Sequence, residues 1–454
     1  MRIIIVGAGV VGYTIAKRLS NEGHDVVIIE KDEKRIKEVK ESLDVRIVKG
    51  SGSSPGVLIE AGLEKSDMVI AVTNSDEVNM VASLIAGSQS RVPKKIARIR
   101  DPEYLSYTRI FEKEYLGLDL NINPQRMAAE RILKIIEVPG AIDVADFAGG
   151  RLKLIGSRLS ASSAVVGKRV KDLNDLHPDH RVLMVAVYRG AETIVPHGST
   201  MLKEGDLLFL MTVPEETSNI LKILGMGEKV GNKVLIVGGG NIGYYLAGRL
   251  EGRGYQVKLF ERNEERCTFL AENLKKTIVI KGDATDWELL VEENINDIDS
   301  FVAVTNSEEA NILTPLLAKR LGVRRSIALV DKLEYLSMLP TVGIDVAVSP
   351  RLSSVSGILQ FIRRGNVLSV TTLMEERMEG IETVAMETSE IAGKRVKDIK
   401  FPRDVVIGAV VKGEEAIVPE GSTMIDPGDK VVLFALSHSV AKIEKFLMVK
   451  PEFF

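Results

Sequence analysis

The strongest constraint on this chain is that it is written twice. MRIIIVGAGVVGYTIAKRL at 1–19 returns as NKVLIVGGGNIGYYLAGRL at 232–250, an offset of 231 residues. The copies stay in step afterwards. IIEKDEKR (28–35) answers LFERNEER (259–266), AVTNSDEVNM (71–80) answers AVTNSEEANI (303–312), and ARIRDPEYL (97–105) answers ALVDKLEYL (328–336). The ends repeat as well: VGKRVKDL (166–173) with AGKRVKDI (392–399), and IVPHGSTMLKEGD (194–206) with IVPEGSTMIDPGD (417–429). So many ordered matches require one fold used twice, and an expectation for one copy applies to the other.

Each copy divides again by pattern. Its first part alternates short β-branched runs (RIIIV, DVVIIE, VRIVKG, MVIAVT, KIARIR) with amphipathic stretches such as GYTIAKRLSNEG. That alternation predicts right-handed βαβ units and a parallel, Rossmann-like sheet. Its second part packs strands closely. HRVLMVAVYRGAETIVPHGSTMLKEGDLLFLMT reads as strand, Arg-Gly turn, strand, glycine-containing loop, strand, and 404–436 does the same with Lys412-Gly413 in the turn. This predicts a small, mainly antiparallel α+β module. At about 100–200 residues per domain, 454 residues accommodate four modules. The expected boundaries are 1–138 and 229–364 for the nucleotide-binding lobes, with 139–228 and 365–454 for the small lobes. Segments 137–150, 225–232 and 375–380 read as joins. Helices expected at 124–137 and 350–364 follow the sheets. In the first, Met127, Ile132, Leu133, Ile135 and Ile136 form an apolar stripe, which packs on the chain's own sheet or makes a dimer.

The chemistry sits at the glycines. Gly7-x-Gly9-x-x-Gly12 follows RIIIV and opens a helix, and Gly238-x-Gly240-x-x-Gly243 does the same after VLIV. Glycines in that setting allow a tight turn, close approach of backbone to a diphosphate, and close packing of helix on strand. The phosphate charge then meets free N–H groups at a helix N-terminus. An acidic residue belongs at the end of the next strand. Glu30 lies 18 residues after Gly12, and Glu261 lies 18 after Gly243. A carboxylate there accepts from ribose hydroxyls and repels a 2′-phosphate, favouring NAD(H) or ATP/ADP over NADP. Arg35 and Arg266, just beyond, either stack on adenine, pair with phosphate, or are ordinary exposed helix arginines. The copies differ further on. The second has Gly282-Asp283-Ala284-Thr285 where the first has Gly50-Ser51-Gly52-Ser53, and the first has Arg98 and Arg100 where the second has Leu329 and Asp331. Both clefts are expected to hold an adenine nucleotide, with different affinity or preferred charge.

Several function classes fall away. With 60 Lys+Arg against 63 Asp+Glu, the chain has no basic excess for nucleic acid. One cysteine, Cys267, cannot close an internal disulfide, and no apolar run suits a membrane helix, so a cytoplasmic protein is expected. A dehydrogenase needs an acid or base near the hydride acceptor. None of His24, His177, His180, His197 and His438 recurs in the other copy. His177-Pro178-Asp179-His180 has no cysteine or acidic cluster to complete a metal site and is read as a solvated turn. No catalytic residue and no metal site is expected.

The paired glycine loops, the two AVTNS segments and the GKRVKD…IVPxGSTM…GD module resemble the TrkA family, the tandem RCK (KTN) domain regulatory subunits of Trk-type potassium uptake systems. The resemblance spans essentially the whole chain. It implies Rossmann-like lobes that pair into a homo-oligomeric ring, a dimer or tetramer, at the inner face of the cell membrane. NAD(H), or ATP and ADP, would change the ring's shape and gate a separate membrane pore protein. The ligand contacts implied are Gly7, Ala8, Gly9, Val10, Val11, Gly12, Glu30, Thr73, Asn74 and Arg98 in the first copy. In the second they are Gly238, Gly239, Gly240, Asn241, Ile242, Gly243, Glu261, Asp283, Thr305 and Asn306. The alternatives are an NAD-dependent oxidoreductase and a nucleotide-sensing regulator of another cation transporter.

Overall fold

The structure, a computed structural model, describes residues 1–89, 94–173, 182–190, 192–225, 231–362, 367–373, 377–440 and 443. The expected His177–His180 turn lies outside the described residues. The chain forms two compact units, Met1–Ala128 with Ser349–Ile362, and Ala129–Val348 with Arg363–Phe454.

The first unit is built on six parallel strands. In spatial order they are Arg46–Lys49, Asp25–Glu30, Arg2–Val6, Met68–Ala71, Lys94–Arg98 and Leu120–Ile122. The strands read as continuous apolar runs because helices cover both faces, and Ile3, Ile4 and Ile5 are fully buried. Strand order reverses between Arg2–Val6 and Met68–Ala71, which pair Ile3 with Met68. In doubly wound sheets, ligands bind outside the carboxyl ends of the strands at that reversal. The helix Pro350–Ile362 belongs by sequence to the second copy. Its Val355, Ile358, Leu359 and Ile362 nevertheless share one core with Ile3, Ile5, Ile15 and Leu19 of the first.

The second unit repeats the sheet as Ile278–Lys281, Gln256–Glu261, Lys233–Val237, Ser300–Ala303, Arg325–Leu329 and Val346–Val348, again parallel throughout. Residues 129–137 of the first copy's terminal helix are tied to this sheet's lobe. Glu130 accepts from the Tyr245 hydroxyl and pairs with Arg249 at 3.3 Å, and Glu137 pairs with Arg253 at 2.8 Å. Arg325 Nη1 donates to the carbonyls of Ile135 and Val138 at 2.7 and 3.2 Å, capping the helix's C-terminus. Both helices pack within the chain, one of the two expected arrangements, and Met127 lies against the first sheet's core. Each contributes to the other copy's lobe, because periodicity reports that a face is buried and not what buries it.

The small modules are five-stranded antiparallel sheets. The expected strands appear at Leu183–Arg189, Glu192–Ile194 and Leu207–Thr212. Two more occupy segments expected as joins. Ala141–Phe147 is a strand whose register shifts between Ala141 and Asp143, so its apolar residues do not alternate. Met378–Val384 begins inside the expected join 375–380, whose EERMEG sequence reads as a charged linker; its Glu379 and Glu382 are both buried. Glu382 accepts from Ala148 N–H at 3.0 Å, across to the other small sheet. The two sheets share a core of Phe147, Leu154, Tyr188 and Phe209 with Met378, Ala409 and Phe434. Among the described residues, no helix is long and apolar enough to cross a membrane.

Candidate nucleotide-binding sites

Each lobe gathers the expected residues at the carboxyl ends of its strands. Gly7 and Gly238 take φ of +103° and +104°, a conformation L side chains rarely adopt. A β-carbon on Gly12 or Gly243 would collide with the carbonyl oxygen of Gly7 or Gly238. The helices Val10–Asn21 and Asn241–Glu251 begin directly after these loops, so their first amide groups face the sheet's reversal point. Val11 and Ile242 are 3% and 7% exposed, so a backbone N–H rather than a side chain is what they can offer a ligand.

The acidic residues are fixed in place by the chain's own backbone. Glu30 accepts from Ala8 N–H at 2.6 Å through one oxygen, and from Lys31 and Asp32 N–H at 2.8 and 3.0 Å through the other. Glu261 repeats this with Gly239, Arg262 and Asn263, at 2.8, 2.8 and 2.9 Å. A carboxylate has about four acceptor sites; three amide donors use three of them and hold the group in one orientation, which leaves one site for a ribose hydroxyl.

The Thr-Asn loops sit across the reversal point, held by residues that the sequence reading passed over. Asn79 Oδ1 accepts from the Thr73 N–H and hydroxyl at 2.9 and 2.8 Å, and its Nδ2 donates to the Thr73 and Arg98 carbonyls at 3.2 and 2.8 Å. Asn311 does the same for Thr305 and the Leu329 carbonyl. Both asparagines are buried, 0% and 2% exposed. The signal was present: this Asn is the one residue after Ser75 and Ser307 that recurs unchanged in VTNSDEVN and VTNSEEAN besides a glutamate.

The lobes differ where the sequence differs. In the first, Arg98 donates to the Thr73 carbonyl and, at 2.8 Å, to Asn74 Oδ1. Burial, with the like charges of Arg100 and Arg351, pulls its guanidinium down to about 10. In the second lobe, Asp283 accepts from Thr285 and, at 2.6 Å, from Arg262. Burial raises its carboxyl, but these donors outweigh that and leave it below the ordinary range. A cavity of about 420 Å³ opens here. Gly238, Gly240, Glu261, Asp283, Thr305 and Asn306 line it, whereas Gly239, Asn241, Ile242 and Gly243, in the same loop and helical turn, do not. The described ionisable residues in its lining are Glu261, Arg262, Asp283 and Arg266, with no His, Lys, Tyr or Cys among them. Two carboxylates and two guanidinium groups beside a glycine loop are a set suited to holding a phosphorylated ligand.

A potassium uptake protein of Halomonas elongata, named Trk system potassium uptake protein TrkA, is 38% identical over 458 aligned residues, covering 100% of both chains. The chain belongs to the TrkA family. The TrkA protein of Vibrio alginolyticus is 37% identical over the same span, and a TrkA homolog of Archaeoglobus fulgidus is 37% identical over 98% of this chain and 99% of its own. TrkA-N domains match residues 3–124 and 234–350, and TrkA-C domains match 154–225 and 381–448. Among solved structures, the GsuK RCK domain aligns over 98% of this chain and 94% of its own, with a TM-score of 0.60 at 19% identity. The GsuK channel bound to NAD aligns over 98% and 78%, with a TM-score of 0.61 at 18% identity. At that identity the likeness establishes the tandem RCK fold. The TrkA-N matches coincide with the two parallel sheets and so contain both clefts.

Proposed function

We propose that this TrkA-family chain is the cytoplasmic, nucleotide-sensing subunit of a Trk-type potassium uptake system. It binds an adenine nucleotide, NAD(H) or ATP/ADP, in each Rossmann-like lobe, and assembles as a homo-oligomeric RCK ring against a separate potassium-transporting membrane protein. The observation that carries this reading is the duplicated cleft: a glycine loop, a carboxylate held by three amides, and an asparagine-braced Thr-Asn loop around one reversal point. The relatives' names supply potassium uptake, and the NAD named in the GsuK complex accords with the cleft's chemistry.

The chain acts as a regulator rather than a catalyst. A ligand shifts a conformational equilibrium only by its different affinity for the two states. NAD and NADH, or ATP and ADP, differ by about one charge near the glycine loop, worth about one to a few kcal/mol in a cleft of reduced dielectric, the usual range of allosteric coupling. The first lobe, with Arg98 beside its Thr-Asn loop, and the second, with Asp283 in its cavity lining, present different charge to that ligand.

The test has two stages. Calorimetric titration of the full chain with NADH, NAD, ATP and ADP should show saturable binding, weakened at one lobe by Glu30→Ala and at the other by Glu261→Ala. Rubidium uptake into vesicles carrying the Trk pore protein should then depend on this chain and change with the nucleotide supplied. Uptake indifferent to the chain under every nucleotide would remove the partner and leave the clefts standing.

A further inference from the structure

In the second lobe, Arg266 occupies an arranged position. Its backbone N–H is capped by Asn263 at 2.8 Å, at the start of the helix Glu264–Asn273, and its Nε donates to the Gly239 carbonyl at 2.6 Å. Its guanidinium lies 4.5 Å from the centre of the Phe269 ring and 5.7 Å from that of Tyr244. The two rings meet edge to face at 5.4 Å. Arg266 lines the cavity, while Phe269 and Tyr244 are absent from its lining, so the arginine alone of the three borders the ligand space. Phe269 is 38% exposed, a large apolar ring kept partly in water. Core burial does not account for it; supporting the arginine one helical turn away does.

The first lobe has two of these three parts. Arg35 and Tyr13 stand where the second has Arg266 and Tyr244, but the position of Phe269 is taken by the exposed Glu38. A carboxylate offers no ring surface for a guanidinium to rest on.

We propose that Phe269 is a positioning residue that presets Arg266 as a stacking plate for an adenine ring, making the second cleft the more selective of the two for adenine. The inference rests on the nucleotide reading above. A guanidinium held flat stacks well on an extended aromatic surface, and less freedom is lost on binding when the side chain is already fixed. Adenine, with two fused rings, gains more from the plate than uracil does on the same ribose diphosphate.

The experiment uses the full chain carrying Gly12→Val, which blocks the first cleft, titrated calorimetrically with ADP and with UDP. Phe269→Ala should weaken ADP about tenfold and UDP by little, so the ADP-to-UDP affinity ratio falls. Phe269→Trp should restore it. In the converse chain, with Gly243→Val blocking the second cleft, Glu38→Phe should raise the first cleft's ADP-to-UDP ratio several-fold. An unchanged ratio in Phe269→Ala, or a proportional loss of both nucleotides, would overturn the positioning role. Failure of the unaltered chain to bind ADP at all is a separate result, which would sink the nucleotide reading and this inference with it.

Discussion

Asn79 shows how much of a binding site rests on a residue that need not touch a ligand. Its amide satisfies four groups of the loop and the adjoining strand, and the residue is fully buried. Removing the side chain leaves buried backbone donors and acceptors unpaired, at about 1–3 kcal/mol each. Asn79→Ala should therefore cost about 2–4 kcal/mol of local stability. It should also speed hydrogen exchange at the Thr73 amide while the exchange of strand Asp25–Glu30 stays slow. Equal exchange at Thr73 in both proteins would show that the asparagine is not the brace. The residues that were legible beforehand, the glycines and Glu30 and Glu261, belong to a motif whose spacing is dictated by the ligand's own geometry. Asn79 and Asn311 answer to the protein's internal hydrogen bonding, and a polar residue early in a helix ordinarily reads as solvent-facing. Only comparison of the two copies distinguishes it.

Elements were legible in type more than in partnership. The parallel sheets follow from alternating β-branched runs and helices, and the Arg-Gly and Lys-Gly turns of the small modules from their flanking strands. What the helix Pro350–Ile362 packs against does not follow, since Ile358 and Leu359 look alike whichever sheet buries them. Its location makes a sharp prediction: Ile358→Ala with Leu359→Ala should remove packing from the first lobe, at about 2–5 kcal/mol for each truncation. Hydrogen exchange should rise in Arg2–Val6 and in the helix Val10–Asn21, more than 300 residues upstream in the chain. Exchange rising only within the helix itself would contradict the shared core.

A second element-scale prediction concerns the GD step that ends each IVPxGSTM motif. Arg189 grips both carboxylate oxygens of Asp206 at 2.8 and 2.7 Å, and Lys203 N–H adds a third bond at 2.8 Å. Burial pushes the Asp206 carboxyl up, but these donors prevail and leave it below its ordinary value. A carboxylate with a depressed folded value contributes stability above its unfolded value near about 4 and loses it as pH falls through the folded one. Asp206→Asn should therefore lose less of its thermal midpoint between pH 6 and pH 3 than the parent does. Equal acid losses would mean that the clamp contributes nothing to folding.

At the scale of the molecule, the small modules are one body. Phe147 of the first sheet meets Phe434 of the second edge to face at 5.6 Å. Gly380 lies between them so tightly that a β-carbon would stand 2.7 Å from both rings. Two sheets that share a core cannot slide independently, because packed interiors tolerate little volume change. On the proposed function, a conformational change driven from the clefts would then be absorbed outside that shared core. Phe147→Ala tests the premise. Phe147 is fully buried, and its truncation should cost about 3–5 kcal/mol. If the sheets fold as one unit, exchange protection must fall in Val405–Lys412 and Lys430–Leu436 as well as in Leu152–Arg158, although the substitution lies in the first small sheet alone. Protection lost only from the first sheet would make the modules separate bodies, free to move against each other.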